Sequence, residues 1–310
     1  MGNKVTVFGS FVVDLMARTP HLPVPGETVK GTMFKMGPGG KGFNQGVAAH
    51  KAGGNVVMVT KLGRDTFANV ALDAMKELNM DTSHVFFSDE TETGCALISV
   101  DENTSQNEIV VILGACGTIN DKDIKSVEEE IKSSEYLLTQ LETNVDATEK
   151  VIDIAHKNGV KVILNTAPVQ PIPDELYQKV DLITPNEVEA EILTGIPIDN
   201  EENALKAANF FFEKGVKSVV ITWGKRGVFV ATPEKHSVLS VPKVKVLDTT
   251  GAGDAFNGGL LTALSEGKDL WEACRFANAL ASVAVQRMGT TPAMPTRDEI
   301  DAFLAEHPEM

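Results

Sequence analysis

The residues best suited to chemistry stand together in Asp248-Thr249-Thr250-Gly251-Ala252-Gly253-Asp254-Ala255-Phe256. Gly251, Ala252 and Gly253 are small enough to let backbone N–H groups turn toward one point. A helical run, Ala255 to Glu266, follows them and would add the positive end of its dipole. Such a turn binds an anion. Asp254 would sit in the first turn of that helix, beside the anion. A carboxylate there repels the ligand, so its presence points to chemistry. The role that fits is a base taking a proton from a hydroxyl that attacks a phosphoryl group. Taken in isolation, the same residues also fit a Gly-rich turn with Asp as a helix cap.

Two further segments decide between these. Gly37-Pro38-Gly39-Gly40-Lys41-Gly42-Phe43-Asn44-Gln45 precedes the helical run Gly46 to Lys51, and Thr184-Pro185-Asn186-Glu187-Val188-Glu189 stands mid-chain. In this order the three segments resemble the ribokinase (PfkB-type) sugar kinase family. The first matches the family's N-terminal Gly-Gly signature and the last its D-T-x-G-A-G-D signature. Asn186 and Glu189 fit the N-x-x-E motif between them. The resemblance covers nearly all of the chain and takes in Pro25-Gly26-Glu27-Thr28 and Leu164-Asn165-Thr166-Ala167-Pro168. It is strongest to the members that phosphorylate ribose and 2-deoxyribose.

The resemblance implies an ATP-dependent kinase that moves the γ-phosphoryl group to the 5-hydroxyl of a pentose. Asp254 is then the base, with Gly251, Ala252 and Gly253 steadying the developing charge. Asp14, Gly39, Gly40, Lys41, Asn44 and Glu142 match the sugar-contacting positions. Their types agree: the acids accept from hydroxyls, Lys41 and Asn44 donate, and the glycines admit the ring closely. No G-x-x-x-x-G-K-[ST] is present, so a Walker A loop is not the nucleotide site. Thr222-Trp223-Gly224-Lys225-Arg226-Gly227 resembles the family's loop beside the ATP phosphates, although it also reads as a hairpin turn. Thr222, Gly224, Gly227, Asn186 and Asn278 are the nucleotide-side candidates. Glu189 would hold Mg²⁺, through water where the ion keeps its hydration. The same Asn186–Glu189 spacing also makes a helix capping box, and the two roles are compatible. Asp248, Thr250 and Met288 would surround a K⁺ ion. Ala293 departs from the family there, standing where a hydroxyl is usual.

Val12 bears on the sugar. In Gly9-Ser10-Phe11-Val12-Val13-Asp14 it replaces an Asn that reads a ribose hydroxyl in the family. Valine neither donates nor accepts, and an unpaired 2-hydroxyl costs about 1–3 kcal/mol. Overall likeness favours ribose; Val12 favours 2-deoxyribose; a fructose-type or nucleoside kinase of the same family is the next alternative. Phe43, where Ala is frequent, is expected to reshape the pocket.

These residues need a scaffold. Short apolar strands alternate with helical stretches: Lys4 to Phe8, Val56 to Lys61, Tyr136 to Gln140, Val160 to Leu164, Leu182 to Thr184, Ser218 to Thr222 and Gly227 to Ala231. Ala68 to Leu78, Asp146 to Asn158 and Asn203 to Lys214 lie between them. The pattern predicts an α/β fold with a mostly parallel sheet covered by helices on both faces. Val12 to Thr19 with Thr28 to Met36, and Thr93 to Asp101 with Asn107 to Leu113, read as strands without helices between. They predict a small separate β-sheet. The resemblance makes it a lid over the sugar and a homodimer interface. The expected organisation is one domain over residues 1–310, with the lid at about 12–36 and 93–113.

Composition sets the outer bounds. Hydrophobic residues make up 43% and charged residues 23% of the chain, ordinary for a soluble domain. A net charge of -15 argues against nucleic acid and anionic membranes as partners. Cys95, Cys116 and Cys274 lack metal spacing and read as reduced thiols of a cytoplasmic protein. Met1-Gly2-Asn3-Lys4 leads straight into a strand, with no signal peptide. A catalytically silent sugar-binding regulator would be expected to have lost Asp254 or the anion turn. An NAD-dependent enzyme would carry G-x-G-x-x-G where Gly9-Ser10-Phe11 stands.

Overall fold

The computed structural model describes residues 2–104 and 106–310. Its strands are β1 (Lys4–Phe8), β2 (Val12–Thr19), β3 (Met33–Gly39), β4 (Asn55–Gly63), β5 (Val85–Ser88), β6 (Thr93–Asp101) and β7 (Asn107–Gly114). They continue as β8 (Tyr136–Thr139), β9 (Lys161–Leu164), β10 (Leu182–Ile183), β11 (Ser218–Thr222), β12 (Val228–Ala231) and β13 (His236–Leu239). The helices are α1 (Lys41–Lys51), α2 (Thr66–Glu77), α3 (Asp121–Lys132), α4 (Val145–Lys157) and α5 (Asp174–Tyr177). After them come α6 (Glu187–Thr194), α7 (Glu201–Glu213), α8 (Ala252–Ser265), α9 (Leu270–Ala284) and α10 (Arg297–Glu306).

The large sheet runs β13-β12-β11-β10-β9-β8-β1-β4-β5. β1 lies between β8 and β4, parallel to both. Successive side chains of these strands point to opposite faces. Val5 and Val7 enter the core shared with α1, α2, α8, α9 and α10, while Phe8 enters the one shared with α3, α4 and α7. Leu138 and Val220 face the first core; Leu137, Val219 and Ile221 face the second. Each fully buried Leu, Ile or Phe contributes about 1.5–3 kcal/mol. The continuous apolar strands are therefore explained by two helical layers.

Two strands break the parallel rule. β12 pairs antiparallel with β11, and β13 with β12. The segment Trp223–Gly227 is too short for a crossover, which needs about a dozen residues, so the chain must turn back as a hairpin.

The small sheet has the order β3-β2-β6-β7. β2 and β6 are parallel; the outer pairs are antiparallel. Its third element differs from expectation, spanning Met33–Gly39 instead of Thr28 to Met36. The ladder runs from Arg18↔Met33 to Val12↔Gly39, so it continues through Gly37-Pro38-Gly39, a run that reads as a strand breaker. An edge strand tolerates Pro38 because its missing N–H faces no partner. The small sheet thus spans residues 12–39 and 93–114, and β3 delivers the chain directly to α1. Helix α9 ends at Ala284. No helix among the described residues is long and apolar enough to cross a membrane.

Candidate active site

Two helices bring the catalytic candidates together. α1 and α8 pack so closely that a Cβ on Gly258 would lie 2.5 Å from the Cβ of Ala48. Thr262 Oγ1 donates to Ala49 O across the same contact at 3.1 Å. The first turn of each helix therefore meets the other. α8 starts at Ala252 with Gly251 as its N-cap at φ 74°, which puts Asp254 in the first turn, as the sequence predicts. Asn44 Nδ2 donates to Asp254 Oδ2 and Gln45 Nε2 to Oδ1, both at 3.0 Å. Asp254 is only 8% exposed. Burial raises its pKa; the Lys41 ammonium and the Gln45 and Asn44 amides pull the other way, and Glu142 adds to the rise. The result is a carboxylate more basic than an exposed one, which suits a general base.

The anion turn is narrower than expected. Ala252 donates its N–H to Thr249 O at 3.1 Å, so it points back into the turn. Gly253 looks into open space, with no atom within 4 Å of where a Cβ would stand. Asn257 Nδ2 donates to Gly253 O at 2.8 Å, and Thr184 Oγ1 donates to Asn257 Oδ1 at 2.7 Å. These bonds pin the start of α8 to the end of β10.

Beside Asp254 lies a second group of acids. Glu142 Oε2 accepts from Ser10 Oγ at 2.5 Å and from the backbone N–H of Lys41 at 2.8 Å. Asp14 is pushed up to about 7 by burial, with Glu142 and Asp254 adding to the rise. A Cβ on Gly39 would lie 2.2 Å from Asp14 Oδ1, so only glycine leaves that carboxyl its place. For Lys41, burial works against the charge, yet Asp254, Glu142 and Glu189 outweigh it and hold the ammonium above its usual range. One cation among carboxylates makes a polar pocket that can both donate to hydroxyls and accept from them.

From this pocket a cleft of about 290 Å³ runs between the small sheet and the loops at 246–250 and 288–292. Asp14, Met16 and Arg18 line it from alternate positions of β2. Val12 belongs to the same alternation, while Val13 packs into the core. Val12 is 2% exposed and sits opposite Gly39, next to the pair Asp14↔Gly37. Phe43 behaves differently from expectation. It packs edge-on against Phe11 with ring centroids 5.1 Å apart, fully buried. Any effect it has on the pocket passes through the core.

Asn186 caps α6, with Glu189 N donating to its Oδ1 at 2.8 Å and its own N–H donating to Glu189 Oε2 at 3.0 Å. The capping box is thus formed. Burial nevertheless raises the Glu189 pKa against the Asn186 N–H, Lys41 and Thr166. Thr222 pairs with Asn186 as an isolated bridge, bringing the 222–227 hairpin turn beside the α6 cap. Gly224 and Gly227 sit at φ 51° and 94° in that turn. Asn278 is 3% exposed on α9, and its Nδ2 lacks a partner among the described residues. Asp248 ties two loops together, accepting from Thr250 N and Gly289 N at 2.9 Å each. Met288 lines the cleft beside them.

The pattern described as pfkB family carbohydrate kinase matches residues 3–297. The chain belongs to this family. A ribokinase of Haemophilus influenzae is 42% identical to this carbohydrate kinase, covering 99% of this chain and 100% of the relative. A deoxyribokinase of Salmonella typhi is 34% identical over 97% of this chain and 98% of its own. The structure of an Arabidopsis thaliana ribokinase complexed with ribose and ATP is 31% identical, with a TM-score of 0.90 over 98% of this chain and 99% of that one. The ribokinase-like fold read from the sequence agrees with this likeness.

Several residues of this kinase escaped the sequence reading. Gln45 was visible inside the first motif, but nothing local says that it bonds Asp254. Ser10 and Gln140 carried no signal of their own. Asn165 stood in a recognised segment, yet its bonds to Gln45 and to Thr184 O depend on three separate strands and helices meeting.

Proposed function

We propose that this carbohydrate kinase transfers the γ-phosphoryl group of ATP to the 5-hydroxyl of a pentose, ribose or 2-deoxyribose. The observation that carries the reading is Asp254, buried at the start of α8 between two amide donors and beside the open Gly253. In the step proposed, the sugar hydroxyl passes its proton to Asp254. Its oxygen bonds to the γ-phosphorus, and the bond from that phosphorus to the β,γ-bridging oxygen breaks, releasing ADP. Gly251 and Gly253 supply backbone N–H groups for the charge on the moving phosphoryl group. Asp14, Lys41, Asn44 and Glu142 orient the sugar, with Gly39 and Gly40 admitting it. The reading treats residues 1–310 as one catalytic unit. Asp14 comes from the small sheet, Glu142 from the loop after β8 and Asp254 from α8, so the small sheet does not hold the sugar alone.

Asn186, Thr222, Gly224, Gly227 and Asn278 form the nucleotide side in this reading. The orphaned Nδ2 of Asn278 supports it, because a buried donor left without an acceptor costs about 1–3 kcal/mol. Among the described residues no three His, Cys, Asp or Glu side chains converge on a point. A hydrated Mg²⁺ reached through water from Glu189 fits that sparse donor set better than a direct cage. Mg²⁺ would neutralise charge on the phosphates. Asp248, Thr250 and Met288 are the proposed surroundings of K⁺. The thiols of Cys116 and Cys274, each buried singly, support a reducing, cytoplasmic setting.

An ADP-release assay across ribose, 2-deoxyribose, fructose and adenosine tests the whole reading. Turnover is expected with the two pentoses. Turnover confined to fructose or adenosine would replace the substrate, and none with any of the four would remove the kinase role. Run in K⁺, Na⁺ and a bulky organic cation, the same assay is expected to go fastest in K⁺. Equal rates in all three would remove the cation site.

The face of the small sheet turned away from the cleft exposes Phe34, Met36, Leu97, Val110 and Ile112, at 46–68%. An apolar patch of this kind marks an interface, and the occupant proposed is the same face of a second copy. Light scattering should give the dimer mass for the native chain and the monomer mass for Val110→Lys. A native monomer at micromolar concentration would rule the dimer out.

A further inference from the structure

Gln45 holds Asp254, and the direction of its amide is fixed from two other places. The backbone carbonyl of Thr184 only accepts, so Asn165 donates to it through Nδ2 at 2.8 Å. The Oδ1 of Asn165 therefore accepts, and Gln45 Nε2 donates to it at 3.1 Å. The second proton of Gln45 Nε2 goes to Asp254 Oδ1 at 3.0 Å. Gln45 Oε1 is left as an acceptor, and Gln140 Nε2 donates to it at 2.7 Å. Side-chain amide atoms are told apart only by such networks. Here a backbone carbonyl and a carboxylate bound the network, and they admit one orientation.

That orientation suits one protonation state of the base. Asp254 Oδ1 faces the Gln45 Nε2 donor, so a proton on the Gln45 side of Asp254 finds no acceptor there until Gln45 turns over. A turned Gln45 would set Oε1 against Asn165 Oδ1 and Nε2 against Gln140 Nε2. Gln140 is 1% exposed, and its own Oε1 lacks a partner among the described residues. With Gln45 Oε1 an acceptor, Gln140 must present Nε2 to it, and its orphaned Oε1 is a cost of that orientation.

Resting on the kinase reading above, we propose that Gln45 is a positioning residue for the base, locked by Gln140 and Asn165 in the direction that favours ionised Asp254 until the sugar hydroxyl passes it a proton. Gln140 makes no hydrogen bond to Asp254 and acts through Gln45. Lys41 on α1, Glu142 after β8 and Asp14 on β2 also act on the charge of Asp254, and they are unaltered in the variants below.

The test is the pH profile of kcat/KM with the preferred pentose and ATP, for the native enzyme, Gln140→Leu and Gln140→Met. The acid limb is expected to move up by about half to one pH unit, a fall of about three- to tenfold in kcat/KM below it. The sugar KM above the limb should stay within about twofold. Gln45→Leu should move the limb further in the same direction. Met keeps the chain length of Gln, so it serves if the Leu variant fails to fold. A lowered Tm with the limb at its native pH in the variants that fold would overturn the proposal and leave the kinase reading standing. A native enzyme inactive on every sugar would sink both.

Discussion

Asp254→Asn is expected to cut turnover by about 10²–10⁴-fold, the usual loss when a general base is removed. The amide keeps the size of the side chain, so α8 should still start at Ala252. It cannot take a proton from the sugar. It also sets an NH₂ group against the Asn44 or Gln45 donor, which is a local cost that binding can absorb. Calorimetric titration should therefore find ATP bound with near-native affinity while single-turnover rates collapse. A mutant with near-native kcat would remove Asp254 from the chemistry and leave the buried amide pair unexplained.

Val12→Asn should change which pentose is preferred. Val12 stands in alternation on β2 with Asp14, Met16 and Arg18, which line the cleft, and is itself buried. In the proposed pocket it meets C2 of the sugar. The introduced amide would satisfy the 2-hydroxyl of ribose, and with 2-deoxyribose it would be left unpaired. Both effects push kcat/KM for ribose over 2-deoxyribose the same way, by about 1–3 kcal/mol, or about tenfold to a hundredfold. Competition kinetics with both sugars reads the ratio directly. No change in that ratio would mean that the side chain at position 12 does not reach the sugar. The similarity to both a ribokinase and a deoxyribokinase gives this single position its weight.

Much of the scaffold was legible in the sequence. β1, β4, β8, β9 and β11 are apolar runs separated by amphipathic helices, and that alternation can only be buried by helices on both faces of a parallel sheet. The D-T-x-G-A-G-D run announced a helix start with an acid in its first turn, because small residues and a following helix act within a few positions. β3 was misjudged at both ends because glycine and proline are local breakers, and only its place at the edge of a sheet makes Pro38 harmless. The strand β13 was not read from the sequence, and the antiparallel direction of β12 and β13 is not written in their own residues. That direction follows from the length of the turn before them.

The sequence by itself determined the chemical types at the site: an acid beside an anion turn, a Gly-Gly entry to a helix, and an Asn-x-x-Glu cap. These are short-range patterns, set by backbone freedom and side-chain reach within one turn. Tertiary structure alone decided how the base is held. Asn44 and Gln45 lie 210 and 209 positions from Asp254, and Ser10 lies 132 from Glu142. It also decided that Phe43 belongs to the core. Hydrogen-bond direction and burial depend on which surfaces meet, and that is fixed only when α1 and α8 close on the carboxyl edge of the sheet.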